Sequence, residues 1–171
     1  RMRCSRPEVE AKCRRLSCVS PKVCKLLETD HAPLVELMKR SRAVRGVKKV
    51  HIASGIRMDL ARGEPAYLDE LVRNHVGGHL KVAPEHVSDR VLGLMKKPPQ
   101  DSFEDFSRRF ETASKRAGRE QYLVPYFIAS HPGSGLEEML ELALYLKKTG
   151  ARPRQVQDFI PAPMDIATCM Y

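Results

Sequence analysis

The chain alternates strand-like and helix-like segments from about residue 30 onward, and this alternation limits its fold more than any other feature. Short runs rich in β-branched and aromatic residues begin near residues 47, 79, 121 and 154. One or two segments with helical spacing of apolar residues separate each run from the next. Repeated βαβ units of this kind predict an α/β fold with a parallel sheet, either doubly wound or an arc of a barrel.

The predicted helices carry start and stop signals in the sequence. The clearest one is predicted from Ser102 to Gly118, and its apolar residues recur at helical spacing. That stripe, which we interpret as core, consists of Phe103, Phe106, Phe110, Ala113 and Ala117. The remaining helices are predicted to start at Asp30 or Thr29, Pro65, Ser88 and Ser134.

The loops that follow the predicted strands are the expected functional edge in either architecture. They cover residues 54–59, 84–88, 130–134 and 161–165. Arg57 offers a fork of donors for a carboxylate or phosphate, and Glu85 offers oxygens that can accept two ribose hydroxyls. The alternative for each residue is an ordinary ion pair within a loop.

Two histidines in these loops, His86 and His131, suit a metal ligand or a general base. Neither an Asp-x-His nor a His-x-x-x-His spacing supports a metal, so we favour hydrogen bonding or substrate contact. The sequence also has no G-x-G-x-x-G, G-x-x-x-x-G-K-[ST] or G-x-S-x-G motif. Phosphate-loop and nucleophile-elbow enzymes are therefore not indicated.

Four cysteines are crowded near the start of the chain, at Cys4, Cys13, Cys18 and Cys24. Four thiolates can hold zinc or an iron-sulfur cluster, although this spacing differs from a paired C-x2-C zinc ribbon. Reactive or structural thiols are the alternative, and we expect Cys169 to be a packing residue. We therefore divide the chain into a cysteine-bearing basic segment, 1–30, and a second part, 31–171, that carries the repeated strand and helix units.

The formal charge of +9 lies entirely in the first third of the chain. Residues 1–50 hold 14 Lys and Arg against 5 Asp and Glu, whereas the remaining residues hold 16 of each. A nucleic acid, if one binds, should be steered to this region, and a solvated basic face is the alternative. Because Trp is absent and aromatic residues are few, a dedicated RNA-binding module is disfavoured.

The length of 171 residues suits one ordinary hydrophobic core. No run approaches the roughly 18 apolar residues that cross a bilayer, and the start is charged rather than signal-like. We therefore expect a cytoplasmic protein without membrane contact. Because the chain begins at Arg1 and stops at Tyr171, close to a predicted strand end, we expect that both ends are cut from a longer protein.

Several long strings in the sequence resemble the YgiQ family of radical S-adenosylmethionine (SAM) proteins. They are CRRLSC at 13–18, VKKVHIASGIR at 47–57, VGGHLKVAPEH at 76–86, QYLVPYFI at 121–128, HPG at 131–133 and QVQDF at 155–159. The resemblance implies a partial (βα)6 TIM-like barrel, of which this chain would supply roughly strands three to six. It also implies an enzyme that cleaves SAM reductively to a 5′-deoxyadenosyl radical with a [4Fe-4S] cluster.

The same resemblance implies a set of SAM contacts. The stretch from Glu85 to Met95 is similar to the fourth-strand signature E-S-G-S-x-x-V-L-x-x-M, whose loop meets the ribose and the methionine part. Here His86 and Val87 stand where that signature has Ser-Gly. The stretch 128–133 is similar to the fifth-strand G-x-P-G pattern, and Phe159 lies where the sixth strand lines the adenine. The implied cofactor-binding residues are Arg57, Glu85, His86, Ser130, His131 and Phe159.

The cysteine loop that holds the catalytic cluster of that superfamily, C-x3-C-x2-C, does not occur in this sequence. We therefore interpret Cys4 to Cys24 as a possible auxiliary site and expect this chain alone to be inactive. We also expect self-association through an exposed strand edge. Two alternatives remain open: a nucleic-acid-binding or RNA-modifying module on the basic first third, and a metal-assisted hydrolase that uses His86 and His131.

Overall fold

The computed structural model describes residues 4–61 and 63–171 of the chain. Its helices are α1 (Pro7–Glu10), α2 (Ala32–Arg42), α3 (Met58–Ala61), α4 (Pro65–Glu70), α5 (Asp89–Leu94), α6 (Gln100–Arg116), α7 (Leu136–Thr149) and α8 (Ile166–Met170). A π-helical turn, Leu71–His75, continues α4. The strands are β1 (His79–Glu85), β2 (Tyr122–Ala129) and β3 (Gln155–Asp158).

The three strands form one parallel sheet in the order β1-β2-β3. Leu80 lies beside Leu123, and Phe127 lies beside Val156. Helices α5 and α6 connect β1 to β2, and α7 connects β2 to β3. The predicted α/β class, the parallel sheet and three of the four predicted strand starts are thereby confirmed.

The strand predicted from Val47 to Ser54 is wrong. The backbone of this segment forms hydrogen bonds with His75 of the π-helical turn instead of with a neighbouring strand. The Ile52 N–H donates to the His75 carbonyl at 2.9 Å, and the Val50 carbonyl lies 2.7 Å from Nδ1 of the buried His75 ring. Just beyond this segment, Ile56 reaches the edge of the sheet through an isolated parallel bridge to Val82.

The main core lies between one face of the sheet and the helices α4 and α6. The predicted stripe of α6 is confirmed, since Phe103, Phe106, Phe110 and Ala113 are buried and Ala117 packs against them. Sheet residues Leu80 and Val82 and turn residues Leu71 and Val72 join the same cluster. A smaller cluster of Val87, Phe127 and Leu142 packs α7 onto β2.

The opposite face of the sheet is largely open. Residues 79, 81, 122, 124, 126, 155 and 157 alternate along the strands with the residues of the packed face, as the period of two requires. On this face Lys81 is exposed, and Tyr122 is 55% exposed. The carboxyl ends of β1 to β3 border a cavity on this face.

The predicted helix starts are close to the observed ones. Asp30 caps α2, since its carboxylate accepts from the Ala32 N–H at 2.8 Å. Helix α6 begins two residues before Ser102, where the Asp89 carboxylate accepts from the Gln100 N–H, and Ser102 is buried inside the helix. Helix α7 begins after Gly135, whose N–H donates to the Glu138 carboxylate at 2.7 Å.

The N-terminal segment up to residue 30 is mostly exposed. A bridge between Cys4 and Leu27 brings its two ends together, and the short helix α1 lies between them. The domain boundary at residue 30 stays a prediction. In the part of the chain that is described, no helix combines the length and apolar character needed to cross a bilayer.

Candidate functional site

A cavity of about 530 Å³ lies at the carboxyl ends of the strands, on the open face of the sheet. All three strands contribute to it, together with the turn after α5 and the segment that leads into α8. Its lining residues are Glu85, Leu94, Met95, Lys96, Lys97, Tyr126, Ile128, His131, Gln157, Asp158, Phe159, Ile160, Met164, Asp165, Ile166 and Ala167. This edge is the one that the sequence predicted as functional.

Glu85 ends β1 with its carboxylate in the cavity. The register of β1 against β2 shifts between Val82 and Glu85, and Glu85 has a φ of 66°. Its carboxylate pairs with the Lys97 ammonium at 2.7 Å. The Glu85 side chain is 15% exposed and that of Lys97 is 34% exposed. Both residues line the cavity, so the pair places a negative and a positive group at its wall.

His131 and Phe159 meet across the cavity with ring centroids 5.3 Å apart, edge to face. Nδ1 of His131 lies 2.8 Å from the Pro132 carbonyl, so this nitrogen carries the hydrogen and Nε2 accepts in the neutral ring. The Phe159 N–H donates to the Ala129 carbonyl at 2.8 Å, which holds the Phe159 backbone beside the end of β2. Ser130, with a φ of 58°, forms the exposed turn before His131 and does not line the cavity.

Sequence reasoning missed five polar residues of this cavity: Lys96, Lys97, Tyr126, Gln157 and Asp158. The Tyr126 hydroxyl donates to the Gln157 side-chain carbonyl at 2.6 Å, which leaves the Gln157 amide N–H groups as donors. Side chains alternate between the two faces of a sheet, so the spacing along β2 and β3 would have placed Tyr126 and Gln157 on the same face. Lys97 carried no comparable signal, because it lies in an irregular turn after α5.

Two further predicted contacts, Arg57 and His86, also lie outside the cavity lining. Arg57 donates from Nε and Nη2 to the Asp59 carboxylate at 2.9 and 3.1 Å, which is the loop ion pair considered as its alternative. His86 is 1% exposed, and its Nδ1 accepts from the Ser88 N–H at 3.0 Å. Its Nε2 lies 3.4 Å from the Ser134 hydroxyl, so His86 joins the start of α5 to the loop before α7.

Burial lowers the pKa of His86 below its usual 6.5, and this shift predicts a pH-dependent stability. The stabilisation from a neutral buried His86 is complete above pH 6.5 and is lost as the pH falls from there toward the lower native pKa, because the unfolded chain binds the proton more readily. We expect urea denaturation to show a decline in unfolding free energy below pH 6.5. A His86→Asn variant, whose amide oxygen can accept from Ser88, should show a shallower decline, and an identical pH profile would contradict the assignment.

In the part of the chain that is described, the cysteines are not gathered into a group that could hold a metal ion. Cys13 and Cys18 are exposed, and Cys4 and Cys24 are half-buried. Across residues 4–61 and 63–171, no group of three or more His, Cys, Asp or Glu side chains is placed to hold a metal ion. The site at Cys4, Cys13, Cys18 and Cys24 stays a prediction, and nothing in the geometry favours a hydrolase built on His86 and His131.

The chain is closely similar to several bacterial proteins. It is 52% identical over all 171 residues to a UPF0313 protein of Chromobacterium violaceum and 54% identical to one of Pseudomonas putida. It is 49% identical to the UPF0313 protein YgiQ of Escherichia coli K12 over 99% of its length. The chain spans 22–23% of the length of these relatives.

No protein-family model matches the chain. The identity to these relatives is nonetheless about one half over 99–100% of the chain. The chain therefore belongs to the UPF0313 protein family, which includes YgiQ.

Proposed function

We propose that this chain is part of a radical SAM enzyme and that the cavity at the carboxyl edge binds the adenosyl part of SAM. The observation that carries the proposal is that Glu85, His131 and Phe159 line one cavity, although they lie at the ends of three different strands. Each had been selected from the sequence as a SAM contact. A single ligand can contact all three residues only if they line the same cavity.

The chemistry of the cavity suits the parts of SAM. Glu85 can accept hydrogen bonds from the ribose hydroxyls, and Phe159 with Ile128 offers apolar surface to the adenine. The ammonium groups of Lys96 and Lys97 can attract the carboxylate of the methionine part. The volume of about 530 Å³ falls within the usual range for small-molecule sites, about 300–1,000 Å³.

The residues of this chain do not fit the catalytic cluster. A [4Fe-4S] cluster supplies the electron that cleaves SAM in radical SAM enzymes, and it requires cysteine thiolates. The sequence has no C-x3-C-x2-C loop, and none of its cysteines lines the cavity. We propose that other parts of the complete protein hold the cluster. The three strands would then belong to a partial (βα)6 barrel, whose carboxyl edge faces the cluster.

A direct test is SAM binding by the complete protein that carries this chain. We expect Glu85→Gln to weaken binding about tenfold to a hundredfold, because hydrogen bonds to a charged group contribute about 1.5–3 kcal/mol. Anaerobic isothermal titration calorimetry measures the dissociation constant, and chromatography of released 5′-deoxyadenosine measures cleavage. Glu137→Gln is the matched control, because Glu137 is exposed on the first turn of α7. Unchanged SAM affinity in Glu85→Gln would overturn the proposed role.

A further inference from the structure

A groove of about 480 Å³ lies where β1 and β2 begin, at the opposite end of the sheet from the cavity. Five Lys and Arg side chains and one carboxylate line it: Arg42, Lys48, Lys49, Arg73, Arg119 and Glu120. We call these residues the basic groove. Its charge is strongly positive, and its position separates it from the proposed SAM site.

The cations of the basic groove come from several parts of the fold. Arg42 ends α2, Lys48 and Lys49 lie in the segment beyond it, Arg73 lies in the π-helical turn, and Arg119 lies between α6 and β2. Arg73 and Arg119 lie outside the first third of the chain, where the sequence had placed the excess charge. Folding therefore gathers positive charge that is dispersed along the chain.

Most of this charge is not neutralised within the protein. Arg42 pairs with the Glu70 carboxylate at 3.2 Å, and Glu120 is engaged by the Tyr122 hydroxyl. Across the described residues, Lys48, Lys49 and Arg73 have no carboxylate within ion-pair distance. Like charges that are held close without partners raise the local positive potential, which favours an anionic ligand.

Glycines leave the basic groove open to close approach. Gly77, Gly78 and Gly118 all line it, and no atom lies within 4 Å of a Cβ built on Gly78 or Gly118. A Cβ on Gly77 would lie 2.7 Å from Cε1 of His51, so a side chain there requires the ring to move. Phosphate oxygens can therefore reach the backbone between the cationic side chains.

The amide side chains of the groove are committed to the protein. The Gln121 amide donates to the Val72 and Val76 carbonyls at 2.9 and 3.0 Å, and its oxygen accepts from Ser114. The Asn74 amide donates to the Glu70 carboxylate at 3.1 Å. Because Asn and Gln are the residues that commonly read adenine edges, their engagement argues against recognition of bases.

We propose that the basic groove binds the phosphate backbone of a nucleic acid without reading its base sequence. The groove gathers five cationic side chains from four segments of the fold, more than a single phosphate needs. Such an array fits successive phosphates of one strand. This inference goes beyond the proposed SAM site and does not depend on it.

The test measures binding of a fluorescein-labelled polyuridine RNA to the complete protein by anisotropy over a series of KCl concentrations. Each phosphate contact to a single strand contributes about 0.7 to the slope of log K against log salt. The double variant Lys48→Gln with Lys49→Gln should therefore reduce the slope by about 1.4 and weaken binding about twentyfold at about 0.1 M salt. Arg73→Gln, on a different element, should reduce the slope by about 0.7.

The matched control is the double variant Arg14→Gln with Arg15→Gln. It removes the same charge from exposed positions of the basic first third that do not line the groove. We expect its slope and affinity to stay within about twofold of the unaltered protein. Any of three results would overturn the proposal: equal losses of RNA affinity in the two double variants, full RNA affinity in the lysine variant, or tighter binding to phosphatidylglycerol vesicles than to RNA. Circular dichroism of every variant checks its fold, and SAM is absent from the assay.

Discussion

Replacement of Phe106 by alanine is expected to lower the free energy of unfolding by about 3–5 kcal/mol. Phe106 is fully buried in the cluster that joins α6 to β1, and its ring stacks 6.3 Å from that of Phe110. The substitution removes apolar contacts and leaves a space that neighbours fill only partly. Urea denaturation of the chain, followed by circular dichroism, measures the loss.

Leu136→Ala provides the control for Phe106→Ala. Leu136 begins α7 and is 87% exposed, so its truncation should change the unfolding free energy by less than about 0.5 kcal/mol. A loss below about 1 kcal/mol for Phe106→Ala would show that the α6 stripe is not the core. Because domains are stable by only about 5–15 kcal/mol, the expected loss is a large fraction of the total.

Phe159→Ala is expected to weaken SAM binding by the complete protein about tenfold to a hundredfold. An aromatic side chain stacked on a base contributes about 1–3 kcal/mol, and 1.4 kcal/mol corresponds to a factor of about ten. The substitution should leave the end of β3 in place, because Phe159 is tied to Ala129 through its backbone N–H. The same calorimetric titration that tests Glu85 measures this effect.

Two controls separate loss of the ring from damage to β3. Phe159→Tyr keeps an aromatic face and should retain affinity within about fivefold. Val156→Ala alters β3 at a position that is 54% exposed and does not line the cavity, so it should bind SAM normally. If Phe159→Ala binds SAM as tightly as the unaltered protein, the adenine lies elsewhere.

The part of the fold that follows from local periodicity was predictable from the sequence. The α6 stripe and the strands near residues 79, 121 and 154 have regular spacing and clear end signals. The segment 47–54 has the same β-branched character but is not a strand, because His75 binds its backbone from 25 residues away. A contact of that kind leaves no periodic trace in the segment itself.

The candidate site was predictable to the extent that strand ends define it. Glu85 and His131 lie in loops that follow predicted parallel strands, and the resemblance to the YgiQ family implied them and Phe159 as SAM contacts. Arg57 and His86 follow the same rule of position, but near neighbours bind their side chains: Asp59 binds Arg57, and Ser88 binds His86. Side-chain direction depends on such local partners, which sequence spacing does not specify.

The buried ring of His75 has a consequence for the basic groove, at the opposite end of the sheet from the cavity. It holds the Val50 carbonyl at 2.7 Å, one residue beyond Lys49. The protein thus meets the entropic cost of ordering this stretch when it folds, rather than when a ligand arrives. The buried His75 ring thus positions the backbone that carries the Lys48 and Lys49 ammonium groups, without contacting those groups itself.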